Sequence, residues 1–269
     1  MVARVLVVAG SDSGGGAGIQ ADVKTVTALG GYAMTAITAL TAQNTLGVFG
    51  VLPVDTEFIR QQLEVVLGDL GADVVKTGML HSAGAVSAVA GTLATHARDV
   101  PLVVDPVMVA KGGATLLEPS ARAALIEKLL PRAALVTPNA PEAEALTGCP
   151  VRSVEDLGSV AERLLLLDPA AVLVKGSHPP GTVVVDLLRT ADGFERRFES
   201  PRLDTTNTHG TGCTLASAVA TGIAEGLTLE HAVERARGYL QQAIRLAPGF
   251  GKGHGPLYHA HTFRQPVEA

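Results

Sequence analysis

Of 269 residues, 47% are hydrophobic and 17% charged, so the chain can bury about 70% of its unfolded surface in a large core, and a disordered or solvating protein is excluded. A formal net charge of −5 argues against a nucleic-acid-wrapping protein, which needs a basic face. Two cysteines, Cys149 and Cys213, are too few to staple a chain of this length, and no apolar run nears the roughly 20 residues of a membrane span; the expectation is a reducing cytoplasm, with no membrane and no nucleic-acid partner.

The elements alternate along the chain. Residues 4–9 form a continuous apolar run that ends in Gly10-Ser11-Asp12; it reads as a first buried strand and not as a signal peptide. Similar runs at 33–40, 73–77, 101–105, 134–137 and 171–175 predict further buried strands, as a parallel sheet covered on both faces requires. Helical spacing recurs between them at 18–29, 55–70, 82–96, 119–130 and 154–167, so the chain reads as successive βαβ units. Residues 42–53 look like a loop or a short strand excursion. Two strand-like runs within 182–203 flank Asp192-Gly193, a hairpin signal that adds an antiparallel edge. Helices follow at 212–225 and 229–246, then a Gly-, Pro- and His-rich tail from residue 248. With aromatics at 3%, the core is built from Ala, Val and Leu. The expected fold class is α/β, a single three-layer domain over 1–269: a mostly parallel central sheet, helices on both faces, and an antiparallel edge hairpin.

Three features carry chemistry. In Asn207-Thr208-His209-Gly210-Thr211-Gly212-Cys213, two glycines one residue apart let successive N–H groups converge, and the helix that follows adds the positive end of its dipole. Such an anion hole suits a phosphoryl group in transfer. Cys213 falls in the first turn, where a helix N-terminus is expected to lower a thiol pKa from about 8.5 and make a general base; a glycine turn with a structural cysteine is the other reading. The second feature is the glycine-rich stretch 10–18 after the first strand, with Asp22 about one turn into the next helix. It matches neither the dinucleotide fingerprint nor a P-loop; it allows close backbone approach to a ligand, or is a flexible loop with Asp22 solvated. Third, Lys76, Asp105, Asn139, Glu142 and Lys175 stand at strand ends, where ligands of open α/β sheets bind. Each alone reads as a turn residue; together they suit Mg²⁺-phosphate handling. The histidines outside the anion-hole string, His259 and His261 among them, are scattered and mostly read as surface residues.

The strings AGSDSGGGAGIQADVKT, ITALTAQNTLGV, KTGML, VVDPVM with Lys111-Gly112, TPNAPEAEALTG, LVKGSH, NTHGTGCTLASA and GKGHGP occur in order across about residues 5 to 258. They carry a resemblance to the ribokinase-like superfamily, and within it to the hydroxymethylpyrimidine/phosphomethylpyrimidine kinases of thiamine biosynthesis. The resemblance implies ATP-dependent phosphorylation of a pyrimidine hydroxymethyl group, then of the monophosphate, with Mg²⁺ accompanying ATP and commonly a homodimer. It implies that Gly210, Thr211, Gly212 and Cys213 form the anion hole and base, where most of the superfamily has Asp. Gln43 is then expected to bond the aminopyrimidine edge, with Asp22 and Gly10 on the hydroxymethyl side and Met79 and Val107 on the ring. Asn139 and Glu142 match the Mg²⁺-phosphate motif, Glu142 and Asp105 are the metal candidates, and Lys175 with Lys252 of the 251–255 loop is expected near the nucleotide. The 179–182 segment is shorter than the flap of many relatives. A pyridoxine/pyridoxal kinase is the alternative, and a non-catalytic thiol sensor a remote one.

Overall fold

In a computed structural model, the described residues are 2–110, 113–177 and 181–263. Lys111-Gly112, His178 and the first half of the 179–182 segment lie outside them. The chain runs β1 (Arg4–Asp12), α1 (Gly18–Ala28), β2 (Tyr32–Asn44), β3 (Gly47–Pro53), α2 (Thr56–Asp69), β4 (Val74–Thr77), α3 (Ala83–His96), β5 (Leu102–Val104), α4 (Pro119–Lys128), β6 (Leu135–Val136), α5 (Ala140–Thr147), α6 (Asp156–Leu165), β7 (Ala171–Val174), β8 (Val183–Thr190), β9 (Glu195–Pro201), α7 (Thr211–Ala224) and α8 (Leu229–Arg245). Among these residues the strands form one sheet in the order β3-β2-β1-β4-β5-β6-β7-β8-β9. The six strands from β2 to β7 are parallel, and β3, β8 and β9 add antiparallel edges.

The apolar runs lack polar alternation because both faces are covered. Along β1, Leu6 and Val8 pack with Ile59 and Leu63 of α2 and Val86 and Leu93 of α3. Val5, Val7 and Ala9 pack instead with Val26 of α1, Leu215 and Val219 of α7, and Val233 of α8. This gives the three layers expected. The hairpin at Asp192-Gly193 is present as β8–β9, with Gly193 at φ 94°. At the opposite edge the strand reading of residues 42–53 holds and the loop reading does not: β2 runs on to Asn44 and turns back at once into the short antiparallel β3. Its strand character was hidden because Phe49 and Leu52 face solvent, so no core-facing alternation marks it.

Chain order sets where a ligand goes. β1 leads through α1 to β2 on one side, and the chain then returns through α2 to β4 on the other. The strand order therefore reverses around β1, and a crevice opens at the strand C-terminal ends there. The β1–β2 register shifts between Ala9 and Ser11, so Gly10 sits in a bulge that re-aims the backbone beside that crevice.

Candidate active site

A cleft of about 1220 Å³ lies over the C-terminal ends of the strands. One end is lined by Gly10, Gln43, Met79 and Val107; Asp105, Asn139, Glu142 and Lys175 line its middle, with Gly210, Thr211, Gly212 and Cys213 beside them. Most of the expected site residues thus meet in one cavity. Arg237, Asp186 and Arg202 line the far end, and sequence reasoning did not single them out. Arg237 and Asp186 form a buried ion pair, and Arg237 also donates to Ser200 Oγ. Two distant segments build this pair, one on β8 and one on α8, so no local string announces it.

The turn into α7 forms with Gly210 in a left-handed conformation, φ 83°, immediately before the helix. A side chain there would be strained in φ, and its Cβ would run into the Gly16 carbonyl oxygen. The glycine loop and the α7 N-terminus are therefore packed backbone to backbone. Asp12, absent from the expected site, holds them together. Its carboxylate accepts from the N–H groups of Gly14 (2.8 Å), Gly16 (3.0 Å) and Ala17 (2.8 Å) and lies 2.9 Å from His209 Nε2. Burial works to raise the Asp12 pKa, but the bond to His209 and the Ala17 and Gly14 N–H groups outweigh it and hold the carboxyl below its ordinary value. The signal for Asp12 was its place in the loop, read there as backbone alone. Gln43 stands beside this joint: Thr41 Oγ1 donates to its Oε1 at 3.1 Å, and its Nε2 lies 3.4 Å from His209 Nε2.

Four expectations are corrected. Asp22 does not reach the cleft: it is fully buried between Lys76 Nζ (2.9 Å) and Ser217 Oγ (2.7 Å), because α1 turns it toward α7 and β4. Lys252 does not line the cleft either; it is exposed, and its N–H donates to Thr45 Oγ1 at 3.2 Å. Its loop instead docks on the β2–β3 turn and, through Gly255, receives the His209 N–H. Cys213 is not a thiol lowered by its helix: burial pushes it up to about 12, against the attraction of Lys76, with Asp22 and Asp105 raising it further. Among the histidines, His259 is buried, with Tyr239 Oη and Thr25 Oγ1 at its Nδ1, not on the surface.

The middle of the cleft is a charge cluster. Lys175 Nζ lies 2.9 Å from Asp105 Oδ1 and 3.9 Å from Glu142 Oε2. Asn139 and Glu142 cap α5 reciprocally, Asn139 Oδ1 accepting from the Glu142 N–H (2.9 Å) and Glu142 Oε2 from the Asn139 N–H (2.8 Å), a capping box. Among the described residues no three His, Cys, Asp or Glu side chains gather into a metal cage. Asp105 and Glu142 both face the Lys175 ammonium; their carboxylate oxygens are hard donors of the kind that would hold Mg²⁺ arriving on nucleotide phosphates.

Burial raises the Glu142 carboxyl to about 7, with Lys175 opposing. An acid raised on folding contributes stability that is complete below its unfolded pKa, near 4.5, and lost as pH rises through about 7. Glu142→Gln is therefore expected to flatten the fall in melting temperature between pH 5 and 8, measured by thermal unfolding; an unchanged fall would assign the pH dependence elsewhere.

The profile of the family described as phosphomethylpyrimidine kinase matches residues 12–258. The chain is 53% identical, over 95% of its length, to the "Thiamine biosynthesis bifunctional protein ThiED" of Geobacter sulfurreducens, of which it spans about half, 52%. It is 46% identical to the "Hydroxymethylpyrimidine/phosphomethylpyrimidine kinase" of Bacillus subtilis, covering 95% of this chain and 94% of that one. Its fold is similar to a solved ADP complex of a Bacillus subtilis pyridoxal kinase, at TM-score 0.89 and 35% identity over 97% of this chain and 98% of that one.

Proposed function

This chain belongs to the phosphomethylpyrimidine kinase family, and from that premise we propose that it uses MgATP to phosphorylate 4-amino-5-hydroxymethyl-2-methylpyrimidine, and then its monophosphate, to the diphosphate of thiamine biosynthesis. The observation that carries this reading is the Gly210–Cys213 turn facing Gly10, Gln43 and Met79 across one cleft. Met79 and Val107 offer an apolar bed for a flat ring, and the Gln43 amide, already oriented by Thr41, offers complementary bonds to an aminopyrimidine edge.

ATP enters from the Arg237 end, with its phosphates toward the α7 N-terminus. The converging N–H groups of residues 210–213 face the transferring phosphoryl, where charge accumulates. Lys175 would supply a cation for the phosphates, and Mg²⁺ arriving with ATP would add charge neutralisation there, with Asp105 and Glu142 as the nearest carboxylates. In the first transfer the substrate hydroxyl attacks the γ-phosphorus, the bond to the ADP oxygen breaks, and the hydroxyl proton passes to Cys213 Sγ. In the second, the attacking group is a phosphate oxygen that is already ionised, and no proton has to move. A cytoplasmic setting and a homodimer belong to the same reading; both cysteines are free thiols, as a reducing compartment keeps them. Among the described residues no helix is long and apolar enough to cross a membrane.

The test is a time course with MgATP and the hydroxymethylpyrimidine, with pyridoxine in parallel, following products by mass. Mono- then diphosphopyrimidine is the expected result. Pyridoxine phosphate alone would move the chain to the pyridoxal-kinase branch and void the role of Gln43, and no turnover of either would leave a binding protein.

A further inference from the structure

Lys76 is among the largest fully buried side chains, at 0% exposure, and is absent from the cleft lining. An ammonium so placed is costly unless it is paired and hydrogen-bonded. It is paired with Asp22, whose Oδ1 also accepts from Ser217 Oγ, while Asp22 Oδ2 is buried with no hydrogen-bond partner. The sequence spacing places this pair one helical turn beneath the thiol. Cys213 and Ser217 are four residues apart on α7, as Gly18 and Asp22 are on α1; residues so spaced share one helix face. On α7, Cys213 stands one turn from Ser217, whose Oγ donates to Asp22 Oδ1 at 2.7 Å, so the ion pair lies beside the turn that carries the thiol. β4 supplies Lys76 from below.

We propose that Lys76 and Asp22 form a buried positioning pair that sets the proton affinity of Cys213 without touching substrate, Lys76 favouring the thiolate and Asp22 moderating it. This rests on the reading of Cys213 as the base only for its catalytic consequence. The charges that face the thiol come from four elements: Asp22 of α1, Lys76 of β4, Asp105 after β5 and Lys175 after β7. Two buried ion pairs therefore flank one sulfur, the Asp105–Lys175 pair inside the cleft and the Asp22–Lys76 pair sealed behind it. Nucleotide phosphates reach only the first, so the second is a fixed field. Burial alone acts to lower Lys76, and Asp22, Cys213 and Asp105 together raise it above the ordinary lysine range, which keeps it charged when the thiol needs it.

The experiment measures iodoacetamide alkylation of Cys213, followed on its own peptide by mass, from pH 6 to 10 in the full chain, on variants that unfold cooperatively on heating. A one-unit change in thiol pKa alters the thiolate fraction tenfold, partly offset by its changed nucleophilicity, so the net rate changes by about threefold. Lys76→Met is expected to slow alkylation by at least about that factor, and Asp22→Asn, which keeps the hydrogen-bonding shape, to speed it by a similar one. If Lys76→Met does not fold, Asp22→Asn decides alone. A merely structural pair would not move the two variants in opposite directions; rates unchanged, or moved the same way, overturn the proposal. The pH dependence of the first phosphoryl transfer in the same variants is read beside it. A shifted thiol with an unshifted transfer profile upholds the pair and removes Cys213 from the proton step.

Discussion

Cys213→Ala is expected to slow the first phosphoryl transfer by about 10²-fold or more, the scale of a lost general base, and the second by less than about tenfold, since a phosphate monoester with a second pKa near 6 is ionised without help. The two steps share the cleft, the anion hole and the nucleotide, so their difference isolates the proton. The position of the thiol adds a sign that can be checked. With Cys213 pushed up to about 12 by burial, the thiolate is scarce at neutral pH, and its fraction grows tenfold per pH unit. The first transfer in the natural chain is therefore expected to keep rising beyond pH 8.5, where an ordinary cysteine would level off, whereas the second is not. Single-turnover rates for the two substrates, from pH 6 to 9, measure this. Equal loss in both steps would make Cys213 a spacer in the anion hole and not its base.

Gly210→Ala should damage both transfers together. The residue caps α7 at φ 83°, a conformation that costs an L side chain about 1–3 kcal/mol, and the added Cβ has no room against the Gly16 carbonyl. The turn must open, which separates the N–H groups that face the transferring phosphoryl. Loss of one such donor costs about 10²–10³ in kcat, and here several move at once, so a kcat loss of at least about 10²-fold is expected in each step. Their ratio should stay close to that of the natural chain, in contrast to Cys213→Ala. Full activity in a folded Gly210→Ala protein would mean that the phosphoryl group is held elsewhere in the cleft.

Local strings revealed the groups that act through backbone. The glycine spacing at 210–212 predicted the tight turn into α7, because a left-handed cap followed by a helix is a local event. Strand ends were legible too, since the continuous apolar runs stop where Asp105 and Lys175 begin. What stayed hidden depends on the partner across the fold. Asp22 read as a helix carboxylate open to solvent, and only the packing of α1 against α7 and β4 buries it on Lys76. Lys252 sat in a glycine-rich tail loop that a nucleotide could have used, and the β2–β3 turn claimed it instead. The direction of the Cys213 shift was misjudged for the same reason. A helix terminus is visible in sequence, while the desolvation that outweighs it comes from the elements brought against the cleft wall where Cys213 stands.

Asp12 links parts of the cleft that the two substrates approach separately. One carboxylate grips the Gly14–Ala17 amides near the hydroxymethyl end and also the His209 ring that leads into Gly210. The two loops are therefore tied through one carboxylate. If each substrate orders the loop it meets, that tie couples the two binding events. By thermodynamic linkage, the factor by which nucleotide tightens the pyrimidine must equal the factor by which the pyrimidine tightens nucleotide.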